Sequence, residues 1–338
     1  MKRLQLEDLS RELGYSKTLI SMVLNGKGNQ YGISKKTQAA VLDAVAQLDY
    51  SPNKFARALR TGKSFFIGLI VADVANPFYS CIAKNIETVL FGKGYNLMVC
   101  STEENIEKEK KLVDMMINQQ GVDGLIIASS CDNADFYSSP RFAKTPIVFI
   151  DRVIPLFNAN YIVIDNYGGS MEVVNKLLDD GCKNVACLSI TPSYISTIED
   201  RMNGYKGALQ KHKVDLNPNL VVNISFDNIY EDVVEALKKF AYAGTKVDAI
   251  YSLNNHLAVG ALKAVKENKD LKIYFDKVRF ACFDDVELFN LIDNKVLSVS
   301  QPIEAIGQNA SNLILDIIEG KHSSHSNIVL PTNLIERK

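Results

Sequence analysis

After Lys63 the chain settles into a rhythm that few folds satisfy. Apolar runs of strand length alternate with amphipathic helical patterns: FFIGLIVAD, YNLMVC, GLIIAS, TPIVFID, YIVID, NVACLSI, VVNIS, DAIYSLN, VRFACFDD and LSVSQ. Continuous apolar strands separated by helices imply parallel sheets covered on both faces. Ten such strands are many for one core, so the spacing predicts two doubly wound lobes in an α/β fold. A cleft is then expected between them, at the carboxyl ends of the strands.

The first ~60 residues read differently, as all helix. Leu6, Leu9 and Leu13 space one helix. GYSKTLISMVLNGKG supplies a second, with Ser16 as N-cap and Ile20, Val23 and Leu24 as its apolar stripe. Ser34 caps a third, whose inward face is Val41, Ala44, Val45 and Leu48. In YSPNKFARALRTGKS, Ser51, Pro52 and Gly62 bound one more short helix. Residues 1–64 carry 11 Lys+Arg against 5 Asp+Glu, and the remainder 27 against 34. A basic head on an acidic body is the asymmetry expected when one part meets a polyanion.

Several classes are disfavoured. MKRLQLEDLSREL has no apolar h-region, and no stretch approaches ~20 uninterrupted apolar residues, so neither a signal peptide nor a membrane span is expected. The six cysteines form no CxxC pair and sit mostly in apolar segments, as reduced thiols of a cytoplasmic protein would. TGKS at Thr61–Ser64 lacks the glycine of a phosphate loop, since Arg57 stands there. No GxGxxG, no GxSxG and no metal-ligand spacing among His212, His256, His322 and His325 is found. Asp284 and Asp285, adjacent at a strand end, point to opposite faces. An enzyme, a metal and a cofactor are therefore not expected.

Two helices joined by a short glycine-containing turn, then a third, describe a helix-turn-helix unit. LEDLSRELGYSKTLISMVLNGKG and ISKKTQAAVLDAVAQLDYSPNKFARALRTGKS resemble the N-terminus of the lactose/galactose-repressor (LacI/GalR) family of bacterial transcription factors. The GxS turn, the VLNG helix end and the YxPNxxARxL hinge carry the resemblance over about 60 residues. It implies a DNA-binding headpiece over 1–62, with a hinge helix at about 52–61. Lys17 and Thr18 would contact base edges, and Ser16, Ser21 and Asn25 would bind phosphates or position the helix. Leu19 and Met22 stand where the family usually has threonine and arginine, so this helix is expected to read one position by apolar contact. The loop NGKGNQYGIS is longer than the family's; its Lys27, Asn29 and Gln30 either reach phosphates or are solvated. In the hinge, Leu59 matches the leucine that the family wedges into a central base step, with Asn53, Ala56 and Arg57 in the same minor groove.

The remainder, 63–338, is similar to the type I periplasmic sugar-binding fold that the family carries as its effector-binding and dimerisation domain. The first lobe is expected at about 63–163 plus 297–322, and the second at about 164–296 plus 323–338. The resemblance places an effector site at Asn76, Phe78, Tyr79, Asp151, Arg152, Arg201, Asn254, Asp284 and Gln301. Aromatic rings, carboxylates, amides and guanidinia in one set suit a sugar. SFDNIYED is expected to lend one more contact, Phe226 or Asn228. Arg201 is also a candidate partner for Asp151. The chain ends at LPTNLIERK without a leucine-heptad tail, so a homodimer on a pseudo-palindromic operator is expected. The function implied is a sugar-controlled repressor of a carbohydrate operon. A solute-binding protein of the same fold is the other reading, but it would carry a signal peptide and lack the basic head.

Overall fold

A computed structural model describes residue 4 and residues 6–48, 62–242, 244, 246–293, 295–322 and 324–337. The chain divides into two compact units, Met1–Phe65 and Phe66–Lys338. The boundary expected after residue 62 thus falls three residues later.

The first unit is built on α1 (Leu6–Leu13), α2 (Lys17–Leu24) and α3 (Lys35–Gln47). Leu9, Ile20, Val23 and Val41 are its buried core. Fully burying an aliphatic side chain of this size contributes about 1.5–3 kcal/mol. Gly14 turns the chain at φ +67°, and Ser16 then caps α2 by accepting from the Leu19 N–H at 3.2 Å. Ser34 caps α3 in the same way, through the Thr37 N–H at 3.1 Å. Gln38 donates to both Ile33 O (2.7 Å) and Asn29 Oδ1 (2.9 Å), which ties the long loop to α3. The segment 49–61, with its expected hinge helix and Asn53, Ala56, Arg57 and Leu59, lies outside the described residues.

The second unit contains two six-stranded sheets. The first comprises β1 (Phe66–Val71), β2 (Asn96–Ser101), β3 (Gly124–Ile127), β4 (Ile147–Ile150), β5 (Asn160–Ile164) and β11 (Asn327–Leu330), ordered β11-β5-β4-β3-β1-β2. The second comprises β6 (Val185–Ile190), β7 (Val221–Ile224), β8 (Ala249–Ser252), β9 (Arg279–Phe283), β10 (Leu297–Ser300) and β12 (Asn333–Ile335), ordered β12-β10-β9-β8-β6-β7. Every pairing is parallel except β10 with β12. Helices α4 (Pro77–Gly92), α5 (Ile106–Asp114), α6 (Asn166–Asp179), α7 (Ser196–Lys211), α8 (Ile229–Tyr242), α9 (Asn255–Glu267), α10 (Lys269–Phe275) and α11 (Ile303–Ile318) make the crossovers. β1 is buried along five of its six residues and β6 along all six, as strands covered on both faces must be.

All ten apolar runs became strands, but two lobe boundaries need correction. Leu297–Ser300, expected in the first lobe, pairs with β9 in the second sheet, with Leu297 opposite Ala281. Asn327–Leu330, expected in the second lobe, pairs with β5 in the first, with Asn327 opposite Tyr161. The chain therefore passes between the lobes three times, after β5, after β10 and after β11. Helix α11 belongs to the first lobe: Gly307 lies so close to α4 that a Cβ there would sit 2.7 Å from that of Asn85.

Candidate functional site

The strand ends of both sheets converge on one cleft, and every one of the nine expected effector residues lines it. The cavity between the lobes measures about 60 Å³, below the few hundred Å³ typical of small-molecule sites, so its own side chains close over most of it.

From the first lobe, Asn76 caps α4 by accepting from the Phe78 N–H at 3.0 Å. Pro77 occupies the first turn, which places Phe78 and Tyr79 edge to face, 4.9 Å apart, at the cleft wall. Tyr79 donates to Asp151 Oδ2 at 2.8 Å. Burial pushes the Tyr79 hydroxyl pKa well up, and the Asp151 and Glu104 charges push it further, so it stays a donor. Asp151 follows β4 with φ +65°, and its neighbour Arg152 points both terminal nitrogens at Glu104. Those bonds are 2.7 and 2.5 Å, and Arg152 Nε lies 3.3 Å from Asp151 Oδ2.

From the second lobe, Arg201 stands on α7, one turn before Gly204. A side chain at Gly204 would collide with the Tyr167 carbonyl, so glycine lets α7 settle on α6. Arg201 Nε donates to Asn166 Oδ1 and Nη1 to Leu253 O, both at 2.8 Å, and its guanidinium lies 3.8 Å from the Phe283 ring centroid. Those contacts hold Arg201 within its own lobe; its bonds run to Asn166 and Leu253 rather than to Asp151. Asn254 caps α9 through the Leu257 N–H. Asp284 follows β9 with φ +98° and accepts from the Asn255 N–H (3.0 Å) and from Gln301 Nε2 (2.5 Å). Burial raises its carboxyl pKa, against the pull of Arg201 and the Gln301 hydrogen bond.

Three lining residues, Glu104, Asp151 and Asp284, hold left-handed backbone that costs non-glycine residues of order 1–3 kcal/mol each. Among the described residues, four hydrogen bonds cross between the lobes around the cleft, one of them from Asn76 Nδ2 to Asn255 Oδ1 at 3.4 Å. Asn255 Nδ2 donates to Asn76 Oδ1 at 2.8 Å, Tyr194 OH to Ser130 O at 3.1 Å, and the Val153 N–H to Ser196 Oγ at 2.9 Å.

Sequence reasoning missed Glu104 and His256, both of which line the cleft. Glu104 was within reach of the strand-end rule, because it follows β2 by three residues. Between Phe226 and Asn228, it is Phe226 that reaches the wall. All six cysteines are free, four of them buried.

In the head, Lys17, Thr18 and Asn25 are exposed, while Ser21 and Met22 are half-buried. Ser16 spends its hydroxyl on the cap, and Lys17 Nζ is 2.7 Å from Glu7 Oε1. Leu19, half-buried, packs in part against the head's core, and Met22 is half-buried beside it on α2. Asn29 is exposed and accepts from Gln38 through its Oδ1.

This geometry, an α/β pair of lobes closed around a polar cleft, is that of a bilobal small-molecule receptor. The family of periplasmic binding proteins and the sugar-binding domain of the LacI family matches residues 64–338, and the chain belongs to it. The ribose operon repressor of Halalkalibacterium halodurans is 29% identical over 333 residues, spanning 98% of this chain and 96% of that protein. The HTH-type transcriptional regulator KdgR of Bacillus subtilis is 28% identical, with the same two coverages. Among solved structures, the Lac repressor dimer bound to operator and an anti-inducer aligns with a TM-score of 0.84 at 24% identity, covering 100% of this chain and 99% of that one, a likeness of fold. The chain is a transcriptional regulator of this family, not an enzyme.

Proposed function

We propose that the protein binds an operator through residues 1–62 and a small sugar-like effector in the cleft, and so controls a carbohydrate-utilisation operon, acting as a repressor. One observation carries the effector half. Nine residues chosen from loops scattered over more than 220 positions meet in a single cleft whose rings, carboxylates, amides and guanidinia suit hydroxyl groups. The basic balance of residues 1–64 and the exposed Lys17, Thr18 and Asn25 on or beside α2 support the DNA half. The relatives' names, a ribose operon repressor and an HTH-type regulator, support both. The working unit is a homodimer in the cytoplasm, two heads meeting a two-fold operator. No cofactor is required by this reading.

Fluorescence anisotropy with duplexes from upstream of its own operon tests it. Specific binding at about 150 mM salt, altered by a sugar, is the expected result. Failure of every such duplex to compete with random DNA would overturn the regulatory reading.

A further inference from the structure

The cleft's charges and its unmet hydrogen bonds narrow the ligand class beyond "sugar-like". Asp73, Glu104, Asp151 and Asp284 line it against Arg152 and Arg201, so carboxylates outnumber guanidinia by two. Arg152 is already neutralised, since both terminal nitrogens are on Glu104 and Nε faces Asp151. Arg201 is pinned by Asn166, Leu253 O and the Phe283 ring. An anion entering this cleft would meet uncompensated carboxylates in a poorly screened site, where like charges repel far more strongly than in water.

The unmet groups say what must enter instead. Gln301 is buried, and its Oε1 has no hydrogen-bond partner. The amide cannot flip to cure this, because Nε2 donates to Asp284 Oδ1; turning it would set two acceptors face to face. Gln301 Oε1 thus needs a donor. Arg152 Nε, equally buried, also lacks a hydrogen bond and needs an acceptor. A hydroxyl serves either need, whereas a phosphate or carboxylate offers acceptors only. A buried polar group left unpaired costs the binder its full desolvation penalty, so the unmet groups call for hydroxyls, while the carboxylate excess sets charged forms apart from neutral ones.

We infer that the cleft takes an uncharged, polyhydroxylated ring and rejects the phosphorylated and carboxylated forms of the same sugars. The inference rests on the effector-site reading and sharpens it.

Calorimetry on the full chain should compare D-ribose, D-xylose and D-glucose with ribose 5-phosphate, glucose 6-phosphate and gluconate. At least one neutral sugar should bind, with its charged counterpart roughly 100-fold weaker. A charged sugar that binds as well as its neutral form overturns the inference. Inorganic phosphate probes the charge balance without any sugar. At about 10 mM it should leave the melting temperature of the wild type where an ionic-strength control leaves it. Glu104→Gln, which releases Arg152, should gain a phosphate-induced rise. Should that variant fail to fold, Asp151→Asn, which leaves the Glu104 pair in place but removes the carboxylate facing Arg152 Nε, is the substitute. A phosphate-induced rise in the wild type that Arg201→Ala abolishes also overturns the inference. If no sugar of either class binds, the effector reading falls and the polyhydroxyl half falls with it. Anion exclusion is then decided by the phosphate result alone. Gln301→Met, which keeps the bulk but removes the acceptor, should weaken the neutral sugar roughly tenfold or more. Unchanged affinity would remove the Gln301 argument.

Discussion

Glu104 and Arg152 form a two-point carboxylate–guanidinium pair in the wall of the cleft, with Nη1–Oε2 at 2.7 Å and Nη2–Oε1 at 2.5 Å. Such fork-to-fork pairs fix orientation as well as charge. Burial alone would raise the Glu104 carboxyl; the Arg152 charge and hydrogen bonds outweigh it and leave the pKa below the usual carboxylate value. A lowered folded pKa adds stability above the unfolded value, lost as pH falls through the folded one. Glu104→Gln should therefore destabilise the body by about 3–5 kcal/mol at neutral pH, because it strands a buried guanidinium. It should also flatten the acid limb of a urea-denaturation series. A parallel acid limb in the variant would assign that limb to other groups.

Asp284 has the opposite sign. Burial raises its pKa above the ordinary aspartate value, so the folded state holds its proton more tightly than the unfolded state does. Its charge opposes folding above the raised pKa, and that penalty fades as pH falls through it. A ligand hydroxyl donating to the carboxylate favours the charged form. Neutral-sugar affinity should accordingly fall as pH is lowered from 7.5 towards 5, and Asp284→Asn should lose this dependence. Titration calorimetry across that range decides it; a flat wild-type profile counts against a direct Asp284 contact.

Arg201→Ala removes two donors and the guanidinium stacked on Phe283, leaving Asn166 Oδ1 and Leu253 O short of a partner. The effector response should disappear while operator affinity without effector is retained. A variant that still responds normally in an anisotropy titration takes Arg201 out of the ligand site.

Lys17 meets Glu7 before it meets any base. The pairing with Lys17 lowers the Glu7 carboxyl pKa, so the carboxylate stays charged at neutral pH. An approaching phosphate must compete with it for the ammonium. Glu7→Gln should bind random duplex more tightly at low salt, and its log K against log[salt] slope should steepen by about 0.9, one more counterion released. Equal slopes would show that Lys17 takes no part in backbone contact.

Leu59→Ala tests the hinge, whose residues lie outside those described. Specific operator binding should weaken far more than random-duplex binding, since only the specific complex gains from a wedge between base steps. Equal losses would sink the wedge assignment.

Most of the ten apolar runs were legible because a strand buried on both faces writes its burial continuously into the sequence; the edge strands β2 and β7 were legible from their apolar composition. β11 and β12 were not, because each opens on an asparagine and holds at most three apolar residues between polar loops. In NIVL, Asn327 and Val329 are exposed while Ile328 and Leu330 are half-buried, and four such residues between polar loops resemble any surface turn. The lobe boundaries slipped because pairing partners far along the chain decide which sheet a strand joins, for the interior strand β10 as for the edge strand β11. Site residues were legible where a resemblance supplied the loop. Glu104 stood near a strand end that could have flagged it, but its pairing with Arg152, 48 positions away, and its φ of +56° were not written locally.

The chain enters the first sheet directly at β1 (Phe66–Val71). The three passes of the chain between the sheets carry a mechanical consequence. Two bodies joined by one peptide thread can tumble; joined by three threads at one edge, they keep little besides rotation about the line through those threads. Whatever draws Asn76 towards Asn255, or Tyr194 towards Ser130, is converted into torque about that line.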